Sequence, residues 1–354
     1  KLFPTFLEDA AAGSVERGEG HGLRKEAFDL FAGEAKADAP SALFRHRRSM
    51  GKFWFDERRP RSPASERHYH FAGWLLAQSV FNRTRLEVDL PSLVFRRIID
   101  GEAFAPTEEM LRELDPEAAR ALANVGGLQG KDFDQMLALE GLPEGTTREQ
   151  YAHFGVEAVV FGGTEWQFEA LCQGFWSSLP PGELQARCLD EGTLAEACCG
   201  SRAKDDDFRV EEVFTVLLDE ELRGDWPELA SALWQVVGGW DAEMRRLFVR
   251  FVTGTSRLPL PGTEVLKVEL PFLAYSQADH AKMLQTLPQS HTCENLLELP
   301  NYWQALQATR GKGAQTRNLE EMRRDVRHVI DAKLRYAVTH CQSYGLDELP
   351  SPPP

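Results

Sequence analysis

Apolar residues recur at helical spacing along most of the 354-residue chain, and proline or glycine interrupts them at short intervals. In residues 92–100 and 318–341, apolar side chains three or four positions apart define one face of a helix. Further helices are predicted at residues 71–82, 116–123, 164–179, 193–199, 211–221, 226–237 and 241–252. Amphipathic helices must bury their apolar faces against other elements. The predicted core is therefore mostly helical.

The ends of several helices are also visible in the sequence. Asp115 precedes Pro116, and an acidic cap followed by proline in the first turn is a typical helix start. Thr164 and Gln167 have the spacing of a capping box, in which each side chain bonds the other residue's backbone. We expect helices to begin at both places.

Strand signals are fewer than helix signals. Residues 264–272 alternate apolar and charged side chains, as a half-buried strand does, and residues 157–161 are a weaker candidate. Residues 200–207 combine a helix-stopping glycine with a run of charges, which fits either a linker or an ordinary surface loop. The residues themselves therefore predict a mostly helical chain with few strands.

Composition and charge exclude several classes of function. Apolar residues make up 42% of the chain, enough for a sizeable core, and the net charge is −15. This balance argues against a chain built to coat nucleic acid or an anionic membrane. No uncharged stretch reaches the ~18 residues of a membrane-spanning helix. Residues 45–67 carry eight Lys or Arg against three Asp or Glu, so nucleic-acid binding stays an alternative to a solvated basic face or to one that meets an acidic partner.

Cysteine usage favours a reducing compartment. None of the six cysteines belongs to a C-x-x-C pair, so neither a disulfide framework nor a zinc site is expected. No metal or cofactor is predicted, and the cytoplasm, or the nucleus, is the expected location. The N-terminus shows neither an initiating Met nor a signal-peptide pattern, which suggests a fragment of a longer protein.

One segment, residues 287–300, concentrates groups that can carry chemistry. Prolines bracket a loop that contains His291, Thr292, Cys293 and Asn295. A nucleophilic cysteine needs such an exposed, polar setting, although a lone cysteine is more often an inert apolar residue. A cysteine protease would pair Cys293 with a histidine, but His291 is too close in sequence to be a confident base.

The same segment resembles the active-site loop of the HECT ubiquitin ligases, whose cysteine accepts ubiquitin as a thioester. Other segments match that family's motifs in the same order along the chain. They are the opening glycine-rich turn and helix at residues 18–28, the F-x-G helix at Phe71-Ala-Gly73, the Q-F-x-A-F-x-x-G-F helix at residues 167–175, the end of the N-terminal lobe at residues 194–202, the F-V-T-G-T-S-R-L-P stretch at residues 251–259 and the aromatic-Gly-Leu tail at Tyr344-Gly-Leu346.

The resemblance implies a bilobal α+β fold. Residues 1–200 would form a mostly helical N-lobe, with a small subdomain at about residues 125–190 that docks a ubiquitin-conjugating enzyme. Residues 204–354 would form an α/β C-lobe that carries Cys293. The flexible hinge, residues 200–203, includes Gly200, Ser201 and Arg202. Tyr151 aligns with an aromatic residue of the family's docking groove, and a core tyrosine is its equally weighted alternative.

The resemblance also implies a mechanism. Cys293 would accept ubiquitin from the conjugating enzyme and pass it to a lysine of a protein substrate. Thr292 and Asn295 would orient the loop or bond a developing oxyanion, and His291 would assist proton transfer or simply face solvent. Arg257 would brace the loop, or else form a structural salt bridge.

One departure from the family leaves a second class of function open. The residue after the cysteine is usually Phe in this family, but here it is Glu294. A carboxylate beside the thiol disfavours the thiolate and slows attack, unless a cation such as an arginine offsets it. The alternative is therefore a catalytically impaired relative that binds ubiquitin or a conjugating enzyme without transferring ubiquitin.

Overall fold

The chain is seen here as a computed structural model, which describes residues 5–9, 14–17, 21–201, 208–271, 280–309 and 319–340. It divides into a first unit, residues 1–19 and 23–200, and a second unit, residues 20–22 and 201–354. Each unit has its own hydrophobic core. The mixture of helices and small sheets fits the predicted α+β class.

The first unit combines two short antiparallel hairpins with helices. The hairpins pair β1 (Thr5–Asp9) with β2 (Ser14–Arg17) and β3 (Phe44–Arg47) with β4 (Lys52–Phe55). The helices are α1 (His21–Lys36), α2 (Pro63–Asn82), α3 (Ser92–Asp100), α4 (Glu108–Leu114), α5 (Pro116–Gly126), α6 (Lys131–Leu139), α7 (Arg148–Phe161), α8 (Glu165–Trp176), α9 (Pro181–Ala186) and α10 (Glu191–Cys199), with a 3-10 turn at Gly101–Ala103.

Helices α2 and α8 cross at the centre of the first unit, where two glycines allow their backbones to touch. A Cβ atom added at Gly73 would lie 1.8 Å from the carbonyl oxygen of Leu171, and one added at Gly174 would lie 1.8 Å from that of His70. Both glycines belong to the F-x-G and Q-F-x-A-F-x-x-G-F motifs. The motifs therefore encode a close helix crossing.

A smaller apolar cluster lies among helices α5, α6 and α7. Phe133, Leu137 and Tyr151 are its buried members, and the rings of Phe133 and Tyr151 meet edge to face at 5.7 Å. Helix α7 begins with a capping box in which Thr147 and Gln150 each bond the other residue's backbone. This cap fixes the start of the helix that carries Tyr151.

The second unit is a four-stranded sheet covered by helices. Its strand order is β5-β6-β8-β7, with parallel pairs β5/β6 and β6/β8 and an antiparallel pair β7/β8. The strands are β5 (Thr215–Leu218), β6 (Val265–Glu269), β7 (Gln289–His291) and β8 (Leu296–Glu298). The helices are α11 (Val210–Val213), α12 (Glu220–Gly224), α13 (Pro227–Gly238), α14 (Ala242–Thr253), α15 (His280–Gln285), α16 (Tyr302–Thr309) and α17 (Leu319–His340).

Most of the predicted helices are present. Helix α3 has the predicted bounds, and the Asp115 carboxylate accepts the N–H groups of Glu117 and Ala118 at the start of α5. The apolar stripe predicted for residues 318–341 is the buried face of α17 and includes Val326, Ile330, Leu334, Ala337 and Val338. Strand β6 lies within the predicted segment 264–272.

Two predictions in the first unit are wrong. Residues 157–161 are not a strand but the last turns of α7, because the cap at Thr147 starts a helix that continues through the valine-rich segment. Thr164 does precede α8, but its side chain caps no N–H group, so the capping box is wrong in this detail.

The single helix predicted at residues 211–221 is also wrong. This segment contains the end of α11, strand β5 and the start of α12. Thr215–Leu218 pairs in parallel with Val265–Val268, a partner about 50 residues away. A short apolar run does not distinguish helix from strand by itself, and here the long-range pairing decides.

Candidate active site

Cys293 lies in the turn that joins the antiparallel strands β7 and β8. The strands pair His291 with Leu296 and Ser290 with Leu297, which leaves residues 292–295 as the connection. The turn is closed by the Glu294 N–H group, which donates to the His291 carbonyl oxygen at 3.0 Å. Cys293 is exposed at this turn. Leu296 and Leu297 at the start of β8 are buried, so the turn that carries Cys293 leads directly into a strand of the core.

Asn295 fastens the turn to strand β6. Its φ of 51° is in the left-handed region, which asparagine adopts more readily than most residues. Its Nδ2 donates to the Val265 carbonyl oxygen at 3.1 Å and to Glu264 Oε2 at 3.3 Å. The Asn295 carbonyl oxygen accepts the Lys267 N–H group at 2.9 Å. Of the two predicted uses of Asn295, these contacts favour orienting the loop.

The other cysteines differ from Cys293 in exposure or position. Burial raises the pKa of the Cys172 thiol to about 12, and burial does the same for Cys198. Cys199 is buried, while Cys188 is exposed at the end of α9. Among the cysteines that the structure describes, only Cys188 and Cys293 are therefore open to a partner, and Cys341 lies outside the described residues.

The remaining predicted site residues of the second unit have separate surroundings. His291 Nε2 lies 3.2 Å from Glu298 Oε1 on the neighbouring strand, and half of the His291 side chain is exposed. Thr292 is half-buried in the turn. Arg257 is only 4% exposed and follows α14, where its N–H group donates to Thr255 Oγ1. Such burial fits the structural alternative for Arg257, because buried arginines are normally paired.

A lysine that the sequence did not single out meets the turn. Lys267 Nζ lies 3.1 Å from Glu294 Oε2, although β6 and the turn are 27 residues apart. The sequence predicted strand β6 but not its neighbour. Only the parallel register of β6 and β8, which pairs Lys267 with Leu296, brings the ammonium group to Glu294.

Tyr151 is 5% exposed, and its hydroxyl donates to Glu140 Oε1 at 3.1 Å. The helices around it carry more accessible apolar side chains. Leu139, at the end of α6, is 83% exposed, and Phe154, one turn beyond Tyr151 in α7, is 45% exposed. The Tyr151–Glu140 bond links these two helices. Tyr151 therefore supports this surface from beneath.

The predicted hinge is described only in part. Gly200 has φ 71° and ψ 162° and follows α10, and Ser201 exchanges two backbone hydrogen bonds with Leu258. Arg202 and Tyr344 lie outside the described residues. Whether residues 200–203 act as a hinge stays a prediction.

The basic segment 45–67 forms ion pairs rather than a bare cationic face. Arg45 and Arg58 both pair with Asp56, and three further pairs are Arg47–Glu57, Lys52–Glu113 and Arg61–Glu66. Arg59 donates to the carbonyl oxygens of Ser41 and Ala42. These contacts weaken the case for nucleic-acid binding.

The described residues contain no group of three or more His, Cys, Asp or Glu side chains that is arranged to hold a metal ion. No helix among them has both the length and the apolar character needed to cross a lipid bilayer.

Cys293 is thus an exposed thiol on a turn that a neighbouring strand holds in place, a setting that suits a nucleophile. Comparison with known families agrees: residues 144–310, a range that includes Cys293, match the model of the HECT domain (ubiquitin-transferase). Residues 144–310 are therefore similar to a HECT-type domain.

Curated relatives point to the same family. The chain is 27% identical over 261 residues to E3 ubiquitin-protein ligase Smurf1 of Drosophila melanogaster, an alignment that covers 66% of this chain and 23% of the relative. It is 25% identical over 308 residues to E3 ubiquitin-protein ligase HACE1 of Danio rerio, which covers 81% of this chain and 33% of the relative. It is 31% identical over 159 residues to E3 ubiquitin-protein ligase TRIP12 of Danio rerio, an alignment that covers 44% of this chain and 7% of the relative. The chain thus spans about a quarter to a third of the first two relatives.

Proposed function

We propose that this chain is the catalytic part of a ubiquitin-protein ligase that carries ubiquitin as a thioester on Cys293. The observation that carries the proposal is the placement of Cys293, which is exposed on a turn that Asn295 ties to β6. Buried thiols such as Cys172 and Cys198 cannot meet a protein-sized donor. The expected setting is the reducing cytosol or nucleus, where a free thiol persists.

The reaction has two steps. The Cys293 thiolate attacks the carbonyl carbon of the thioester on the conjugating enzyme; a new C–S bond forms, and the donor cysteine leaves as a thiolate. This exchange is nearly neutral in free energy, because one thioester replaces another. A neutral substrate lysine amine then attacks the Cys293 thioester. An isopeptide bond forms, Cys293 leaves as a thiolate, and the proton lost by the amine passes to water or to a nearby base.

The residues around Cys293 hold the thiol in position rather than transfer protons. Asn295 fixes the turn, and the backbone bond from Glu294 to His291 closes it. His291 already pairs with Glu298, so we assign it to the hairpin surface rather than to proton transfer. Arg257 is assigned to the folding of the segment after α14.

We further propose that the first unit is the N-lobe and the second unit the C-lobe of this ligase, with residues 200–203 as the hinge. The conjugating enzyme would dock on the surface that Leu139 and Phe154 expose, while Tyr151 supports that surface through its bond to Glu140. Exposed aromatic and aliphatic side chains of this kind commonly anchor protein interfaces.

A second candidate function follows from Glu294, whose carboxylate lies next to the nucleophile. If it suppresses the thiolate, the chain would bind its partners without transferring ubiquitin.

The two functions separate in a single-turnover assay with labelled ubiquitin charged on a conjugating enzyme. We expect a reducible ubiquitin adduct on the wild-type chain and on Cys188→Ala, which removes the other exposed described thiol, and no adduct on Cys293→Ala. An adduct that persists in Cys293→Ala would refute the assignment. Binding of the charged enzyme without any adduct on the wild-type chain would favour the binding module.

A further inference from the structure

The strands around Cys293 carry more acidic than basic side chains. Strand β6 with its preceding residue and the β7–β8 hairpin together carry four carboxylates, Glu264, Glu269, Glu294 and Glu298, against Lys267 and His291. Of these carboxylates, Glu294 is adjacent to Cys293 in the chain. Negative charge near a thiol disfavours the thiolate, which is the form that attacks a thioester.

Lys267 is held where it can offset this charge. Its backbone N–H donates to the Asn295 carbonyl oxygen at 2.9 Å, and its Nζ lies 3.1 Å from Glu294 Oε2. Lys267 thus contacts Glu294 through its side chain and Asn295 through its backbone. His291 is engaged with Glu298, a contact that joins strands β7 and β8.

We propose that Lys267 is a positioning residue for transfer at Cys293: it binds the Glu294 carboxylate and offsets its charge, so that the thiolate forms beside an acidic residue. The proposal rests on the proposed function insofar as it concerns ubiquitin. Its electrostatic part concerns the thiol alone and holds for any reagent that reacts with the thiolate.

The expected size of the effect follows from exposure. The side chains of Lys267 and Glu294 are 37% and 62% exposed, so their charges act through water-like surroundings. One unit charge at about 6 Å in such surroundings changes an ionisation equilibrium by roughly 3-fold. At 1 M salt the screening length falls to about 3 Å, and most of this effect should disappear.

The test measures how fast iodoacetamide, a neutral reagent, alkylates Cys293 at fixed pH and low salt. The protein carries Cys188→Ser and Cys341→Ser throughout, so that Cys293 dominates the signal. We expect Lys267→Gln to slow alkylation about 3-fold and Lys267→Arg to leave it unchanged. Glu294→Gln should accelerate it, and Lys267→Gln with Glu294→Gln should restore a rate near that of the parent.

A charge swap, Lys267→Glu with Glu294→Lys, separates charge from shape. Restored alkylation in the swap, together with loss of the Lys267→Gln effect in 1 M KCl, supports the proposal. An unchanged rate in Lys267→Gln overturns it. So does an equal loss in Lys267→Gln and in the double Gln variant, because Lys267 would then act through structure alone. Unfolding midpoints of all variants identify any that fail to fold.

Ubiquitin loading is measured on the same variants. Loading rates that follow the alkylation rates extend the role of Lys267 to transfer. If the parent protein takes up no ubiquitin while alkylation still depends on Lys267, the proposed function fails and the electrostatic role of Lys267 stands. Loading that ignores Lys267 while alkylation responds to it overturns the part of the proposal that concerns transfer.

Discussion

The crossing of α2 and α8 makes the substitution Gly73→Ala a sharp test of the packing. The added Cβ would lie 1.8 Å from the Leu171 carbonyl oxygen, whereas contacts below 3.0 Å are essentially never observed for real Cβ atoms. The two helices would have to separate by at least about 1.2 Å. The clashing atoms belong to the backbone, so no change of side-chain rotamer can relieve the contact.

The free energy of unfolding should therefore fall. Overpacking of a core typically costs about 1–3 kcal/mol, and a backbone clash at the centre of a helix pair belongs at or above the upper end. Alanine is favoured over glycine in a helix by about 1 kcal/mol, which offsets part of the cost. We expect a net loss of about 2–3 kcal/mol, a large share of a typical domain's stability.

Gly33→Ala is the matched control. Gly33 lies inside α1, and a Cβ atom there would meet nothing within 4 Å. It should gain up to about 1 kcal/mol from helix propensity alone. Urea unfolding followed by circular dichroism and tryptophan fluorescence compares the two variants. Equal midpoints for Gly73→Ala and Gly33→Ala would refute the close crossing.

Three further expectations concern other parts of the chain. Burial alone raises the pKa of Glu113, but hydrogen bonds from Lys52 and Ser92 outweigh it and hold the pKa below the usual 4.5. The stabilising contribution of the Glu113 carboxylate is present above pH 4.5 and is lost as the pH falls through the pKa that Glu113 has in the folded protein. The Tm difference between the wild type and Glu113→Gln should therefore shrink between pH 6 and pH 3, and parallel curves would contradict this. Phe154→Ala should weaken binding of the conjugating enzyme by about 1–3 kcal/mol without loss of stability, whereas Tyr151→Ala should lower stability as well. Calorimetry measures the binding and thermal unfolding measures the stability. Unchanged binding for both variants would refute the docking surface. Proline at positions 200 and 201 should slow ubiquitin loading or transfer but leave alkylation of Cys293 near the wild-type rate, and equal losses in both assays would indicate general damage.

Sequence reasoning predicted the elements whose signals are local. The cap at Asp115 and the apolar stripe of α17 each depend on residues within a few turns of one another, and both are confirmed. The signal at Thr147 and Gln150 was equally local and would have identified the start of α7. Thr164 and Gln167 have the same spacing but form no such cap, so a capping spacing alone does not guarantee the hydrogen bond.

The features that escaped prediction depend on distant partners. The local pattern of residues 211–221 predicts a helix, whereas β5 is extended because it pairs with β6, about 50 residues away. The segment around Cys293 was recognised from its neighbours in the chain, but Lys267 was not, since its place beside Glu294 follows from the register of β6 and β8. Burial likewise cannot be read from a lone tyrosine, and Tyr151 proves to be covered.

The shortness of the turn between β7 and β8 sets a mechanical limit on Cys293. Leu296, three residues further on, is 8% exposed and anchored in the sheet. Three fully extended residues span at most about 11 Å, so the Cα atom of Cys293 cannot lie further than that from the Cα atom of Leu296. A flexible loop could carry its nucleophile between two distant partners, but this one cannot. Any larger displacement of Cys293 therefore requires movement of the entire sheet that carries it.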